Sequence, residues 1–102
     1  YLSIHLNYLT NTKYYGAQVF YNKDNKKLAK SIQEYLNNNL ETNREIKEIP
    51  SSTYMYKKLE KPGVLIECGF LSNYSERNKL ITKDYQKKVA QVIANAIVNY
   101  YK

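Results

Sequence analysis

Seven residues, Val-Leu-Ile-Glu-Cys-Gly-Phe at positions 64–70, constrain this chain more than any other stretch. A strand with one face in water alternates apolar and polar residues. This run stays apolar across both sets of positions, so it predicts a strand buried on both faces, of the kind found inside α/β sheets. Glu60-Lys61-Pro62-Gly63 gives it a turn on its N-terminal side. One residue breaks the pattern. Glu67 sets a carboxylate towards the C-terminal end of the strand, where open α/β sheets hold their ligands.

The remaining segments support a layered fold. Leu2, Ile4 and Leu6 alternate with Ser3, His5 and Asn7, which predicts a short buried strand with His5 and Asn7 on one side. A second strand restarts over residues 16–22, centred on Val19 and Phe20, and Gly16 marks a bend or a close backbone approach. Asp24 is placed to cap a helix beginning near Asn25. Leu28, Ile32, Tyr35, Leu36 and Leu40 follow at helical spacing, and Asn37, Asn38 and Asn39 should weaken the last turns. Residues 44–49 read as an irregular connection or a short edge strand closed by Pro50. Residues 53–59 fit a strand or a helix, and the alternation of Tyr54 and Tyr56 about Met55 favours the strand. Asn73 and Glu76 have capping-box spacing for a short helix through Leu80. Tyr85, Val89, Val92, Ile93, Ala96, Ile97 and Tyr100 form the stripe of the last and longest helix. Strands alternating with helices predict an α/β fold, a mixed or mostly parallel sheet flanked by helices.

With 102 residues the chain makes one domain at most. It has no apolar run near the length of a membrane span. Cys68 is alone, so no internal disulfide forms. One His and one Cys cannot close a tetrahedral metal site from soft ligands. The net charge is +7, but only Arg44 and Arg77 among the 16 basic residues are arginines. Arginine is the preferred reader of base edges, so its scarcity counts against sequence-specific nucleic-acid recognition. A lysine-rich surface suits polyanionic surroundings such as a bacterial wall, and equally suits plain solvation.

Three side chains stand out as candidates for chemistry. Apolar neighbours would raise the pKa of Glu67 and make it usable as a general base or acid; the same carboxylate could instead serve a structural ion pair. His5, the only histidine, is a metal ligand or a packed side chain. Asn7 shares its side and would orient it or contact substrate. Cys68 falls on the face opposite Glu67 and reads as a buried, reduced core thiol.

Taken together, Ser-Ile-His-Leu-Asn at 3–7, Gly16 to Tyr21, and Lys61 to Glu76 resemble the zinc-dependent N-acetylmuramoyl-L-alanine amidases, the amidase-3 family. The resemblance runs along the whole chain and looks nearest to the spore-cortex type. It implies an α/β sheet flanked by helices and a zinc ion held by His, Glu and His. The second of those histidines maps onto His5, and the catalytic glutamate maps onto Glu67. The implied substrate is peptidoglycan, cut at the amide between the lactyl group of muramic acid and the first L-alanine of the stem peptide. The implied location is extracytoplasmic, in the bacterial wall or spore envelope.

The family's first zinc histidine, in a Gly-His-Gly segment, and its glutamate ligand both precede the Ser-Ile-His motif, and neither occurs here. Residues 1–102 are therefore expected to be the C-terminal part of a catalytic domain, inactive alone, with the other ligands upstream. Uncovered apolar strand faces would then favour self-association or pairing with the missing half. Two other readings remain: a non-catalytic peptidoglycan-binding module, and an amidase that needs an activating partner to hold its zinc. The catalytic reading makes a geometric demand. His5 and Glu67 must lie on parallel or nearly adjacent strands, with both side chains on one sheet face.

Overall fold

The computed structural model describes residues 2–7, 12–22, 24–49 and 63–102. The expected strand at 53–59, Pro50 and the turn at 60–62 lie outside these residues. Among the described residues the chain forms β1 (Leu2–Asn7), β2 (Gln18–Tyr21), α1 (Lys26–Asn39), β3 (Lys47–Glu48), β4 (Val64–Phe70), α2 (Tyr74–Leu80) and α3 (Lys83–Tyr100). The sheet order is β1-β4-β2-β3. β1 runs parallel to β4 and β2 parallel to β3, while β2 and β4 are antiparallel. This is the expected mixed α/β architecture, with β4 inside the sheet as its unbroken apolar run requires.

Strand alternation gives β4 two different faces. Val64, Ile66 and Cys68 join Val19 of β2 in one core with Ile32 and Leu36 of α1 and Val89, Ile93 and Ala96 of α3. Val19, Ile32, Leu36 and Ile66 are wholly shielded from solvent. Each such side chain stabilises the fold by about 1.5–3 kcal/mol relative to leaving it exposed. Leu65, on the other face, packs with Ile49 and Phe20. No helix among the described residues is long and apolar enough to cross a membrane.

Four local expectations change. β1 is not buried: it occupies a sheet edge, and Leu2, Ile4 and Leu6 are 43%, 57% and 49% exposed. Alternation identified its strand character, but an edge position leaves its apolar side only partly covered. Asp24 does not cap α1. A turn in which Asn25 N–H and Nδ2 both donate to Asn22 O moves the start to Lys26, with Asn25 at the cap position. The asparagine run does not fray the helix, because Asn37 and Asn39 find partners: Asn37 Oδ1 accepts from Gln33, and Asn39 Nδ2 donates to Tyr35 O. The capping box is half formed. Asn73 Oδ1 accepts from Glu76 N–H at 3.1 Å, but the buried Glu76 carboxylate reaches across the chain to accept from Gly16 N–H. Gly16 bends the chain at φ +97°, a conformation that disfavours any side chain.

Candidate functional site

The site is built on the middle of the sheet. Glu67 of β4 stands opposite His5 of β1 on one side and Gln18 of β2 on the other. Residues paired across neighbouring strands share a face, with strands about 4.7–4.9 Å apart. His5, Glu67 and Gln18 therefore form a row across one face, with β1 and β4 parallel as the geometric demand required.

Glu67 is half-buried. Its Oε2 is shielded from solvent and has no hydrogen-bond partner among the described residues. Burial pushes its pKa above the ordinary carboxylate value, and the nearby His5 partly opposes that rise. A desolvated carboxylate with an unused oxygen is chemically suited to accept a proton. His5 is exposed, and its Nε2 lies 2.6 Å from Ser3 Oγ.

An irregularity beyond Glu67 enlarges the site. Between the pairs His5–Glu67 and Asn7–Phe70, β1 advances two residues while β4 advances three. The extra residue is a β-bulge at Cys68–Gly69. Strict alternation would turn Phe70 away from Glu67; the bulge brings it back to the same face. Arg44, from the segment after α1, completes this side. Its Nη2 donates to Gln18 Oε1 at 2.8 Å, and its guanidinium carbon lies 5.3 Å from the Phe70 ring centroid and 5.9 Å from that of Tyr14. Tyr14 and Phe70 stack at 5.9 Å.

Gly69 also lets α2 close on the strand end. A Cβ there would come within 2.9 Å of Leu80 Cδ1 and 3.1 Å of Glu76 Oε1. Asn73, in the turn that follows, donates to Thr12 O at 2.8 Å. Its side chain thereby ties the loop after β1 to the start of α2.

Cys68 takes the opposite face, as expected, inside the core with Ile66. Burial, reinforced by the charge of Glu67, pushes its thiol up to about 11, which makes it a poor nucleophile at neutral pH. The Asn7 side chain lies outside the description; its backbone pairs with Phe70. No group of three His, Cys, Asp or Glu side chains able to share a metal ion is present among the described residues. The imidazole of His5 beside the unpaired oxygen of Glu67 fits one coordination position with an adjacent base, not a complete ligand set.

Sequence reasoning singled out His5 and Glu67 as candidates but not Gln18, Arg44, Tyr14 and Phe70, which the structure gathers around that row. Gly69 was the available signal. A glycine inside a strand often marks a bulge, and a bulge inverts the facing of every later residue. Nothing local to Arg44 places it over Phe70.

Residues 1–99 match the family model of amidase-3, N-acetylmuramoyl-L-alanine amidase. The chain is 47% identical over 105 residues to the germination-specific N-acetylmuramoyl-L-alanine amidase of Bacillus subtilis, an alignment covering 99% of this chain and 44% of that protein. The structure resembles the CwlD amidase of Clostridioides difficile, solved in complex with the GerS lipoprotein, with a TM-score of 0.85 and 44% identity over 98% of this chain and 53% of that one. It also resembles the catalytic domain of CwlV, an N-acetylmuramoyl-L-alanine amidase from Bacillus (Paenibacillus) polymyxa var. colistinus, with a TM-score of 0.82 and 30% identity over 98% and 56% of the two chains. The chain thus spans about half the length of these relatives.

Proposed function

The chain belongs to the N-acetylmuramoyl-L-alanine amidase family, and on that footing we propose that it carries the Glu67 side of the active site of a zinc-dependent peptidoglycan hydrolase. The bond cut is the amide between the lactyl group of N-acetylmuramic acid and the first L-alanine of the stem peptide. One observation carries this reading: His5 and Glu67 stand opposite each other on adjacent parallel strands, with a shielded oxygen of Glu67 left unpaired.

Zinc, when bound, supplies Lewis acidity at the scissile carbonyl and at the attacking water. His5 would hold one of its coordination positions; the remaining protein ligands come from the part of the catalytic domain outside these residues. Glu67 is the proton carrier. Its oxygen takes a proton from water as the water oxygen bonds to the carbonyl carbon. The carbon–nitrogen bond then breaks, and the same proton passes to the leaving alanine nitrogen. The products are a lactyl carboxylate and a peptide with a free amino terminus.

In this reading residues 1–102 are the C-terminal part of the catalytic domain and are inactive alone. The half-exposed apolar side of β1 supports a cover from the rest of that domain. The enzyme acts outside the cytoplasm, on wall or spore peptidoglycan; the germination-specific relative supports the spore. The similar CwlD amidase was solved in complex with a lipoprotein, which supports an accessory partner here as well. Zinc content measured with and without such a partner tests that point.

The test of the main reading uses purified peptidoglycan and the zinc-loaded whole enzyme. Wild type should release new alanine amino termini. Glu67→Gln should keep its zinc and lose activity by about 10²-fold or more. His5→Ala should lower zinc content. Unchanged turnover in Glu67→Gln would sink the proton-carrier role. Binding to peptidoglycan without release of amino termini would identify a non-catalytic wall-binding module instead.

A further inference from the structure

We propose that Arg44 recognises a carboxylate on the peptide side of the substrate, so that the enzyme selects stem peptides whose acidic residue beyond the alanine carries a free carboxyl group. This rests on the amidase reading above and names the substrate feature that the same site prefers.

Arg44 is held in place from several directions. Asn37 fixes its main chain, with Nδ2 donating to Arg44 O at 3.0 Å and Oδ1 accepting from Arg44 N–H at 3.4 Å. Asn37 is itself fixed by Gln33, whose Nε2 donates to Asn37 Oδ1 at 3.0 Å. At the far end of the side chain, Gln18 Oε1 accepts from Nη2, and the rings of Phe70 and Tyr14 lie against the guanidinium. Gln18 is the residue directly opposite Glu67. The guanidinium therefore belongs to the same sheet face as the proton carrier and is preorganised there.

Inside the fold its charge faces two rings and an amide oxygen. Among the described residues no carboxylate lies within ion-pair distance of Arg44. A guanidinium has five N–H donors in a planar fork that matches a carboxylate two-to-two. One nitrogen is engaged by Gln18. Among the described residues the others meet no acceptor, so an anion can bond them without breaking that contact.

The choice of residue points the same way. The chain has 14 lysines and only two arginines. Lysine supplies a point charge, whereas arginine supplies fork geometry and a flat face to stack on rings. Arg44 uses the flat face already, which leaves the edge for a ligand. Beside it, Lys13, Tyr14, Tyr15 and Asn43 join Arg44 around a cleft of about 210 Å³. That volume accommodates an amino-acid side chain rather than a sugar ring pair.

The reach also fits. A strand spacing of about 4.8 Å separates Glu67 from Gln18, and the Gln18 link extends further. The fork thus stands on the order of two residue lengths from the proton carrier. A substrate laid from Glu67 past Gln18, with its scissile bond at Glu67, would bring the residue after alanine to this cleft. Glycan hydroxyls carry no charge, so an acidic group on the stem peptide is what matches a cleft lined by Arg44 and Lys13.

The experiment compares two N-acetylmuramoyl-L-alanyl-D-glutamyl substrates that differ only in whether the glutamyl α-carboxyl is free or amidated. Steady-state constants are measured for the zinc-loaded whole enzyme as wild type, Arg44→Gln and Arg44→Lys. Wild type should favour the free carboxyl through KM by on the order of tenfold or more. Arg44→Gln should collapse that ratio towards one, and Arg44→Lys should give an intermediate ratio. A role for Arg44 in folding alone would weaken turnover of both substrates together and leave the ratio intact. A wild-type ratio near one, or a ratio unchanged in Arg44→Gln, overturns the proposal while leaving the amidase reading standing. If Arg44→Gln fails to fold, an unchanged ratio in Arg44→Lys overturns it. Cleavage of neither substrate by wild type overturns the amidase reading and this proposal together.

Discussion

Replacing Gln33 with leucine should destabilise the protein by about 2 kcal/mol, although the substitution puts an apolar residue into a buried site. Gln33 is 4% exposed, on the buried side of α1. Its Oε1 accepts from Val19 N–H at 2.8 Å, and its Nε2 donates to Ala17 O at 3.0 Å. Those two main-chain groups are the pair that a parallel strand would take from the edge of β2 beside Gln18. β3 pairs with β2 only from Phe20 onwards. The glutamine amide therefore stands in for a strand residue that β3 does not supply.

The magnitude follows from which partners survive. Ala17 O keeps a bond from Thr42 Oγ1 at 3.0 Å, and Asn37 Oδ1 keeps the Arg44 N–H. Among the described residues Val19 N–H has no such reserve beyond Gln33, and Val19 is fully buried. One orphaned buried donor costs about 1–3 kcal/mol, and each further lost hydrogen bond about 0.5–1.5 kcal/mol. Burial of the leucine offsets about 1.5–3 kcal/mol of this. With a urea m-value of about 1–3 kcal/mol/M, the unfolding midpoint should fall by about 1 M. Hydrogen exchange supplies a local readout: the Val19 amide should lose protection more than the amides of Ile66 or Leu36. A midpoint equal to or above that of wild type, with Val19 still protected, would refute the reasoning.

The raised pKa of Glu67 carries a sign that stability can test in the metal-free chain. Burial lifts it above the ordinary value of 4.5, so the folded state favours the neutral acid. Its favourable contribution is present below that ordinary value and is lost as pH rises through the folded value. Glu67→Gln should therefore match wild type near pH 3 and exceed it at pH 8 in urea midpoint; a variant less stable than wild type at pH 8 contradicts the burial argument. Cys68, pushed up to about 11 within the core, should react with an aromatic disulfide reagent far more slowly than free cysteine at pH 8, where only about one thiol in a thousand is ionised. Guanidinium should restore full reactivity, and rapid labelling of the native protein would show that the thiol is accessible.

Much of the fold was legible because strands and helices announce themselves through local periodicity. The unbroken apolar run of β4 required cover on both faces, and the stripe of Val89, Val92, Ile93 and Ala96 required a helix lying on a core. His5 and Glu67 were legible for a different reason. A lone imidazole on a short strand and a carboxylate within an apolar run are each unusual enough to ask for an explanation, and together they resemble a family motif; the strand end expected at Glu67 is not there, since β4 continues to Phe70. Periodicity is silent about which strand lies at an edge, so the exposure of β1 could not be read from Leu2, Ile4 and Leu6. It is equally silent about reciprocal capping: Glu76 had the spacing to close on Asn73 and instead closed on Gly16, a residue sixty positions away.

The sequence by itself determined the element types, the α/β class, the reduced core thiol and the two candidate site residues. All of these follow from side-chain pattern within a few residues of each position. Tertiary structure decided the neighbourhood of Glu67. The parallel pairing of β1 with β4 brings His5 beside it, and the bulge at Gly69 turns Phe70 to its face. The Gln33–Asn37–Arg44 network then lays a guanidinium over that ring. Those arrangements are pairings between segments remote in the chain, fixed by packing and by the need to satisfy buried main-chain groups. No local window of residues contains the partners involved.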